Sequence, residues 1–388
     1  MTAPDRLRIV VMGYIVRGPL GGMTWHYLHY VLGLLAMGHE VAYLEDSGDE
    51  EWSCYNPETS VNGPDPSYGL RYARDVFAAV GSPDIWGYYD RLTDTWHGPL
   101  AERAIETLER ADVLINISGA NRMRSWSRDI PVRIFIDTDP AFTQIRNLTD
   151  PERMKRSRDH NVFLTFGANT GRPECAIPDD GLGWTSTRQP IVPDLWHRSI
   201  PAAEAPYRTV MQWDSYEPLA FQGRRYGLKS HSFDGYRDLP RRVSSDMEIA
   251  LGGANAPHEE LLDRGWKLAD PLDVAKDPWS YVSYVQGSKA EFSVAKEGYV
   301  TSRSGWFSER SAAFLTCGRP VIVQNTGFTD WLPGGAGVVP FGSPDEAEEA
   351  IEQVGSTLSH HSRAALEVAD TYFRADRVLS EMIDRAMT

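Results

Sequence analysis

The sequence predicts an α/β protein made of two doubly wound halves, each built on a parallel β-sheet. Its 388 residues suffice for two domains at roughly 150 residues each. A strand, a glycine-rich loop, a helix and a second strand follow one another over residues 8–44, which is the order of a βαβ unit. A second series of this kind begins near Tyr207. Because α/β proteins tend to bind ligands in clefts, we expect the functional site between the halves.

The first half opens with a short apolar, β-branched run at 8–16, which is typical of a strand buried on both faces. Apolar residues at three- and four-residue spacing over 23–37 predict a helix that Gly38 ends, and 39–44 predicts the next strand. The remaining predicted elements are helices at 68–80 and 99–110 and strands at 113–117, 132–137 and 161–166. Residues 167–206 are rich in Pro, Gly and Trp, which predicts irregular structure and a linker.

The second half repeats the alternation. Its predicted strands lie at 207–211, 247–251 and 321–324, with a helix ahead of the last of them. Ser343 and Pro344 stand where the capping residue and the first residue of an acidic helix are expected. Apolar residues at helical spacing over 363–386 predict one final helix.

Composition limits the class of protein. The chain carries 54 acidic and 39 basic residues, a net charge of −15. Nucleic-acid binding requires a dense basic face, so this balance predicts no nucleic-acid partner, although a local cluster of positive groups could hold a small anion. Three widely spaced cysteines predict neither a disulfide framework nor a zinc site. No apolar run approaches the ~18 residues of a membrane-spanning helix, so we expect a cytoplasmic protein.

Two glycines, Gly21 and Gly22, follow the first strand and open the first helix. Glycines at this place let backbone N–H groups approach a ligand, and a helix N-terminus favours an anion. The spacing is not G-x-G-x-x-G, so a dinucleotide fingerprint is not predicted. The alternative is an ordinary turn between strand and helix.

A second polar segment, 297–311, places hydroxyls, glycines and two arginines just ahead of a helix. Hydroxyl and N–H groups at a helix start, beside a guanidinium, suit a pyrophosphate. A carboxylate such as Glu309 suits the hydroxyls of a ribose. The alternative is a surface loop with a capping serine.

With these motifs the chain resembles nucleotide-sugar-dependent glycosyltransferases of the GT-B fold, in particular the glycosyltransferase group 1 or family 4-like proteins. The residues from Gly21 to His26, followed by the Gly-His-Glu-Val run that begins at Gly38, are similar to the opening of that group. Residues 313–321 are similar to its nucleotide-domain motif. The resemblance covers about 1–50 and 245–385 and is weak between them.

The resemblance implies two Rossmann-like domains that face each other across a cleft. The domain at 1–205 would bind the acceptor, the domain at 206–365 would bind the donor, and a C-terminal helix at 366–388 would pack back on the first domain. It implies transfer of a sugar, by a hexosyltransferase or a related enzyme, from a nucleotide-diphosphate sugar to a hydroxyl or similar group of a small-molecule or glycan acceptor. Neither a metal nor a cofactor is expected, and the oligomeric state stays open.

Two other functions remain possible at this point. The first is a catalytically silent nucleotide-sugar-binding protein of the same architecture. The second, a sugar-nucleotide epimerase of similar fold, would need further carboxylates that the sequence does not identify.

One departure from the resemblance bears on mechanism. Retaining members usually carry two glutamates eight positions apart, and Gly305 and Ala313 occupy those places here. Glu309 lies between them without a partner at that spacing, so a retaining or inverting outcome stays open. Arg310 lies eight residues before Gly318, where related enzymes keep an arginine, which implies a contact with phosphate.

Three residues are candidates for the chemistry of transfer. His26 could act as general base in its neutral form, or could be a partly buried helix residue. Asp137 and Asp139 resemble a metal-binding DxD but would cap a strand or contact an acceptor, since no His, Cys and carboxylate cluster has the spacing of metal ligands. His160 ranks lower. The residues expected to bind the donor are Gly21, Gly22, Lys229, Arg303, Ser304, Ser308, Glu309, Arg310 and Ser311; for Lys229 the alternative is a solvated surface lysine.

Overall fold

Two large β-sheets, one in each half of the chain, organise residues 6–388, which a computed structural model describes, and each half also has a two-stranded antiparallel sheet. The strands of the first half are β1 (Arg8–Met12), β2 (Glu40–Asp46), β3 (Cys54–Asn56), β4 (Val61–Gly63), β5 (Trp86–Asp90), β6 (Thr95–His97), β7 (Val113–Ile117), β8 (Val132–Asp137), β9 (Val162–Thr165) and β10 (Thr185–Ser186). Its helices are α1 (Gly21–Ala36), α2 (Ser67–Ala79), α3 (Ala104–Glu109), α4 (Phe142–Thr149) and α5 (Pro151–Ser157).

The first sheet has the strand order β10-β9-β8-β7-β1-β2-β5-β6 in the part of the chain that the structure describes. Its strands pair in parallel except at one edge, where β6 runs antiparallel to β5. In register, Val10 of the central strand β1 pairs with Ala42 on one side and Leu114 on the other. The strand order therefore reverses at β1, the kind of place where doubly wound sheets bind ligands.

The second half contains the strands β11 (Tyr207–Gln212), β12 (Leu219–Phe221), β13 (Arg224–Tyr226), β14 (Met247–Gly252), β15 (Lys267–Ala269), β16 (Ala290–Ser293), β17 (Val321–Gln324) and β18 (Val338–Phe341). Its helices are α6 (Lys229–Phe233), α7 (His258–Asp263), α8 (Pro271–Ala275), α9 (Pro278–Gln286), α10 (Glu297–Thr301), α11 (Glu309–Thr316), α12 (Pro344–Ser356), α13 (Leu358–Tyr372) and α14 (Ala375–Ala386). No helix within residues 6–388 combines the length and the apolar character needed to cross a membrane.

The second sheet has the order β15-β14-β11-β16-β17-β18, with parallel pairing throughout. In its centre, Tyr207 of β11 pairs with Met247 on one side and Ala290 on the other. The order reverses at β11, as it does at β1. The predicted α/β class with two doubly wound sheets is therefore confirmed.

Apolar side chains hold the two halves together. One continuous core cluster includes Tyr27 of α1 and Ile115 of β7 from the first half, and Tyr281 of α9 and Phe314 of α11 from the second. All four side chains are 5% exposed or less. Because burial of apolar surface stabilises by about 25 cal/mol per Å², a shared core fixes the halves relative to each other.

The C-terminal segment differs from its prediction, because two helices replace the single one expected over 363–386. Between α13 and α14 the backbone leaves the helix: Ile191 donates its N–H to the Phe373 carbonyl, and Ala375 donates to the Ile191 carbonyl at 2.8 Å. After this break α14 packs on α1, where a Cβ on Gly33 would lie 2.6 Å from Leu379. The crossing back to the first half thus begins at Phe373.

Candidate active site

A cleft separates the carboxyl ends of the two sheets and has two connected lobes. The N lobe, of about 1170 Å³, reaches Trp52, the loop around Arg122 and helix α5. The C lobe, of about 1420 Å³, reaches Met211 and Leu251 at the ends of β11 and β14. The residues that line both lobes include Tyr14, Arg17, Met23, His26, Glu309 and Arg310. The candidate site is the junction at which these residues meet.

Arg310, in the first turn of α11, has its guanidinium group fixed by three hydrogen bonds. Its Nε donates to a carboxylate oxygen of Glu291 at 2.5 Å, Nη1 donates to the Val210 carbonyl at 2.8 Å, and Nη2 donates to the Ser293 hydroxyl. Ser308 caps the helix, since its hydroxyl accepts from the Arg310 N–H at 3.2 Å. A guanidinium has five N–H groups, so two remain for a ligand at the cleft wall.

Lys229 lies at the start of α6 and lines the N lobe beside Arg310. Burial, together with the positive charges of Arg310 and Lys296, lowers its pKa from the usual lysine value to about 7. No ion pair joins its ammonium group to a carboxylate among the described residues. Such a group favours an anion, because a negative ligand would stabilise its protonated form.

His26 lies in the first turns of α1 and lines both lobes. Its ring packs edge-on against Tyr27 and Phe166, and its side chain is largely enclosed. Burial lowers the pKa of His26 below its usual value, with Glu309 acting in the opposite direction. The ring is therefore neutral at pH 7 and has a nitrogen lone pair that can accept a proton.

The other candidate histidine, His160, is committed to its own half. Its Nε2 bonds the Asn116 amide at 3.1 Å, and its Nδ1 bonds the Ser157 carbonyl at 3.0 Å. Burial lowers the pKa of His160 to about 4. His160 lines the N lobe, but both of its ring nitrogens are occupied by partners of the first half.

Asp139 lies within a cluster of side chains from both halves. Lys296 donates to its Oδ1 at 2.8 Å, the hydroxyls of Tyr216 and Tyr299 each donate at 2.5 Å, and Arg146 lies at 3.3 Å. Burial alone would raise the pKa of Asp139, but Lys296 and the two hydroxyls outweigh it and hold that pKa below its usual value. With this many partners from both halves, Asp139 is better suited to joining the halves than to contacting a ligand.

Asp137, at the end of β8, does not line either lobe of the cleft. It is 1% exposed and accepts hydrogen bonds from the hydroxyls of Thr143 and Thr165, the Gln144 amide and the Asp139 backbone. Burial raises the pKa of its carboxyl group. The geometry favours the capping alternative, since Asp137 ties the end of β8 to the start of α4.

The cleft brings together only some of the predicted donor-binding residues. Gly22, Lys229, Ser308, Glu309 and Arg310 line it, whereas Gly21, Arg303, Ser304 and Ser311 do not. The guanidinium of Arg303 pairs with Asp330 at 2.9 Å, and the buried Ser304 hydroxyl donates to the Tyr299 carbonyl.

The two glycines of α1 permit a close approach of the halves. A Cβ on Gly21 would lie 2.2 Å from the Asp277 carbonyl oxygen, and a Cβ on Gly22 would lie 2.9 Å from the Tyr281 ring. Both of these neighbours belong to the second half, at the start of α9. The glycines are therefore needed for contact between the halves. This explanation differs from both sequence-based interpretations, an anion-binding loop and an ordinary turn between strand and helix.

Sequence reasoning missed Arg17, which lines both lobes. Its Nη2 donates to the Ala120 carbonyl at 2.9 Å, and its Nε lies 3.4 Å from Glu45. Glu45 also accepts from the backbone N–H groups of Val16 and Arg17. Their positions in the sequence could have identified them: Arg17 follows β1, and Glu45 is the second-to-last residue of the neighbouring β2, so both lie at the carboxyl edge of the sheet.

Metal ligands do not converge on the cleft in the part of the chain that is described. No group of three or more His, Cys, Asp or Glu residues within 6–388 has a geometry that could hold a metal ion. Cationic side chains occupy the junction of the lobes instead.

No protein-family model and no curated protein matches the chain. Solved structures match nearly all of it. One is an alpha-glucosyltransferase in complex with UDP-glucose and DNA, with a TM-score of 0.59 and 11% identity over 99% of this chain and 100% of that one. HepE from Anabaena, in complex with UDP and glucose, gives 0.54 and 10% over 98% and 100%. Sucrose-phosphate synthase from Thermosynechococcus elongatus gives 0.52 and 10% over 98% of each chain.

These structures are glycosyltransferases of the GT-B fold, matched across both halves and the cleft. The chain has the GT-B fold. In this fold the reversal points at β1 and β11 face each other, which accounts for the position of the candidate site at the junction of the lobes. At 10–11% identity the similarity establishes the architecture, and function has to be argued from the residues of the cleft.

The prediction of no nucleic-acid partner, drawn from net charge, is contradicted. The alpha-glucosyltransferase whose GT-B fold matches this chain from end to end is in complex with DNA. The physical error is that a net charge of −15 averages the whole surface and says nothing about one wall of one cleft. In the N lobe, eleven basic and six acidic side chains line the wall.

Proposed function

We propose that the protein is a glycosyltransferase that moves a sugar from a nucleotide-diphosphate sugar to an acceptor hydroxyl. The observation that carries this proposal is the set of side chains at the junction of the lobes and beside it: Arg310 and the neutral base His26 line both lobes, and Lys229 lines the N lobe beside Arg310. Cations at the site of a leaving diphosphate, opposite a proton acceptor, are what glycosyl transfer from such a donor requires.

The donor would lie in the C lobe with its diphosphate at the junction. The ends of β11, β14 and β15 line this lobe, which is the usual position of a nucleotide at the carboxyl edge of a doubly wound sheet. The diphosphate would contact the Lys229 ammonium and the two unused N–H groups of Arg310. Glu309, which lines both lobes, would accept hydrogen bonds from sugar hydroxyls.

The acceptor would lie in the N lobe, with its hydroxyl directed at His26. A ring nitrogen of His26 takes the hydroxyl proton as the oxygen attacks the anomeric carbon of the donor sugar. The bond from that carbon to the diphosphate oxygen breaks, and Lys229 and Arg310 stabilise the negative charge that develops on the leaving group. A single displacement of this kind inverts the anomeric configuration.

Nucleoside diphosphates should stabilise the protein more than the matching nucleosides do. A thermal-shift panel of UDP, GDP, dTDP and ADP tests this, since a ligand at 100 times its Kd adds about 2.7 kcal/mol. Lys229→Gln should remove most of the difference, because it deletes a charge without breaking an ion pair. The matched control is Lys276→Gln, an exposed lysine of the same half. Equal shifts from nucleosides and diphosphates would count against a diphosphate site.

Diphosphate affinity should fall as the pH rises above 7. The charged groups that act on Lys229 are Arg310, Lys296, Glu309 and Glu291, and the pKa of Lys229 in the free protein is about 7. The anion binds the protonated ammonium, so above that pKa binding must take up a proton, and affinity falls by at most about tenfold per pH unit. Titration calorimetry at several pH values measures this. Lys229→Arg should make the profile flat, and a steep profile in that variant would assign the titration elsewhere.

Transfer should survive chelation of divalent metals, because Lys229 and Arg310 supply the positive charge at the leaving group. The measurement is turnover with the preferred donor before and after treatment with EDTA. If activity disappears and manganese or magnesium restores it, a metal rather than these two side chains neutralises the diphosphate.

A further inference from the structure

The N lobe has a strong excess of positive charge that the C lobe lacks. Eleven basic and six acidic side chains line the N lobe, whereas two of each sign line the C lobe. Part of the excess belongs to the junction described above. Two more of these cations, Arg146 and Lys296, pair with Asp139. The remainder comes from two segments of the first half, the loop between β7 and β8 and the helix α5, neither of which transfer to a neutral sugar would need.

In the loop between β7 and β8, two arginines share one acidic partner, Asp49. Arg124 pairs with both carboxylate oxygens of Asp46 at 2.8 and 2.9 Å and with Asp49 at 2.9 Å. Arg122 pairs with the same Asp49 at 3.0 Å. Their guanidinium groups are thus fixed in place at the wall, with N–H groups left over for a further acceptor.

The helix α5 adds exposed cations with loose partners. Arg153 lies 3.6 Å from Asp150, and Lys155 lies 4.0 Å from Glu152, with more than half of each of the two cationic side chains exposed. Arg156 on the same helix is exposed as well. Exposed pairs of this kind contribute little, so these side chains can exchange a carboxylate for another anion at small cost.

An exposed aromatic ring stands on the same lobe. Trp52, in the loop between β2 and β3, is 64% exposed and lines the N lobe, as the arginines of α5 and of the β7–β8 loop do. An indole ring held in water at the wall of a basic cleft is a platform on which a sugar ring or a nucleobase can stack.

We propose that the N lobe takes an acceptor that bears phosphate groups, with the phosphates against the arginines of α5 and of the β7–β8 loop, and a ring stacked on Trp52. This inference rests on the proposed function, because it names the chemical class of the molecule whose hydroxyl faces His26. Two sources share this chemistry: a phosphorylated small molecule, with a phosphate monoester, and a nucleic-acid strand, with phosphate diesters.

The test measures binding of three probes in the presence of saturating UDP: glucose 6-phosphate, glucose, and a short fluorescein-labelled single strand of DNA. The key variant is Arg153→Glu/Arg156→Glu, which reverses two exposed charges on α5. The matched control is Arg71→Glu/Arg363→Glu, two exposed arginines that do not line the cleft. Trp52→Ala tests the stacking contact.

At least one phosphate-bearing probe should bind at least tenfold more tightly than glucose. The α5 variant should weaken that binding tenfold or more, while the control variant leaves it unchanged. For the DNA strand, loss of two phosphate contacts should also reduce the slope of log affinity against log salt by about 1.4, since each contact to a single strand contributes about 0.7. Trp52→Ala should weaken it about fivefold or more. Preference for glucose 6-phosphate assigns a monoester acceptor, and preference for the DNA strand assigns a diester one.

The proposal is overturned if neither phosphate probe binds more tightly than glucose, or if the α5 variant binds them unchanged. A UDP thermal shift that persists in either of those cases shows that the donor site stands and that only the acceptor class was wrong. If UDP gives no shift while the phosphate probes bind in an α5-dependent manner, the basic lobe stands and the proposed transfer from a nucleotide sugar fails.

Discussion

Replacing His26 with alanine is expected to lower turnover by roughly 10²–10⁴, the usual contribution of a general base. The neutral ring faces both lobes, and burial keeps its pKa below the ordinary value, so at pH 7 the lone pair is available without prior loss of a proton. Donor affinity, measured as the thermal shift with UDP, should change little. The acid limb of the turnover profile should lie below the ordinary histidine pKa, because the base must be neutral to work.

His29 provides the matched control for this experiment, since it is three residues away on the same helix. It stacks on Trp25, its Nδ1 accepts the Val192 N–H, and it lines the C lobe but not the N lobe, so it is not placed to take a proton from an acceptor in the N lobe. His29→Ala should therefore lower the melting temperature and leave the turnover of the folded enzyme unchanged. Wild-type turnover in a folded His26→Ala protein would exclude His26 as the base, and weakened UDP binding in that variant would make it a donor contact.

Arg310→Ala is expected to lower the free energy of unfolding by about 3–5 kcal/mol, the usual cost of removing one member of a buried ion pair. The partner, Glu291, is 0% exposed, and its second carboxylate oxygen has no hydrogen-bonding partner within the described residues. The change also leaves the Val210 carbonyl without the 2.8 Å bond from Nη1. Urea unfolding measures the loss.

Arg310→Met/Glu291→Leu is the matched comparison, because replacing both members of a buried pair with apolar residues is often nearly neutral. It should unfold at a higher urea concentration than Arg310→Ala. A single Arg310→Ala variant with wild-type stability would mean that Glu291 finds another partner. Since loss of folding and loss of phosphate contact coincide in Arg310→Ala, Lys229 is the better residue for testing donor binding.

The fold could be predicted from the sequence where the local pattern of apolar residues indicates how an element is buried. Strands β1, β7 and β8 are buried in parallel sheets, so their sequences are near-continuous apolar runs. The break between α13 and α14 was not readable. It depends on backbone pairing with Ile191, far away in the chain, while the local spacing of apolar residues continues through it.

The site was predictable only where a motif places a residue near a helix start. His26, Glu309 and Arg310 line the cleft, as the motifs suggested. Lys229, which was named only for its place in the second half, lines it as well, and the roles of all four residues stay predictions. The partners of Asp139 were beyond reach, because Lys296 lies 157 positions further along the chain and meets it only when the halves assemble. A pair of charged residues that are far apart in the chain produces no periodic sequence pattern from which their contact could be predicted.

The width of the cleft depends on the absence of a side chain at Gly21, where the two halves are in close contact. Any side chain there would begin 2.2 Å from the Asp277 carbonyl oxygen, so the start of α9 would have to retreat by about 1 Å or more. Because α9 belongs to the close-packed core shared by both halves, its displacement would rotate the second sheet as a rigid unit and would not be absorbed by a local deformation. The distance from Lys229 and Arg310 to His26 would change with it. Position 21 therefore acts as the spacer that sets the distance between the two walls of the cleft.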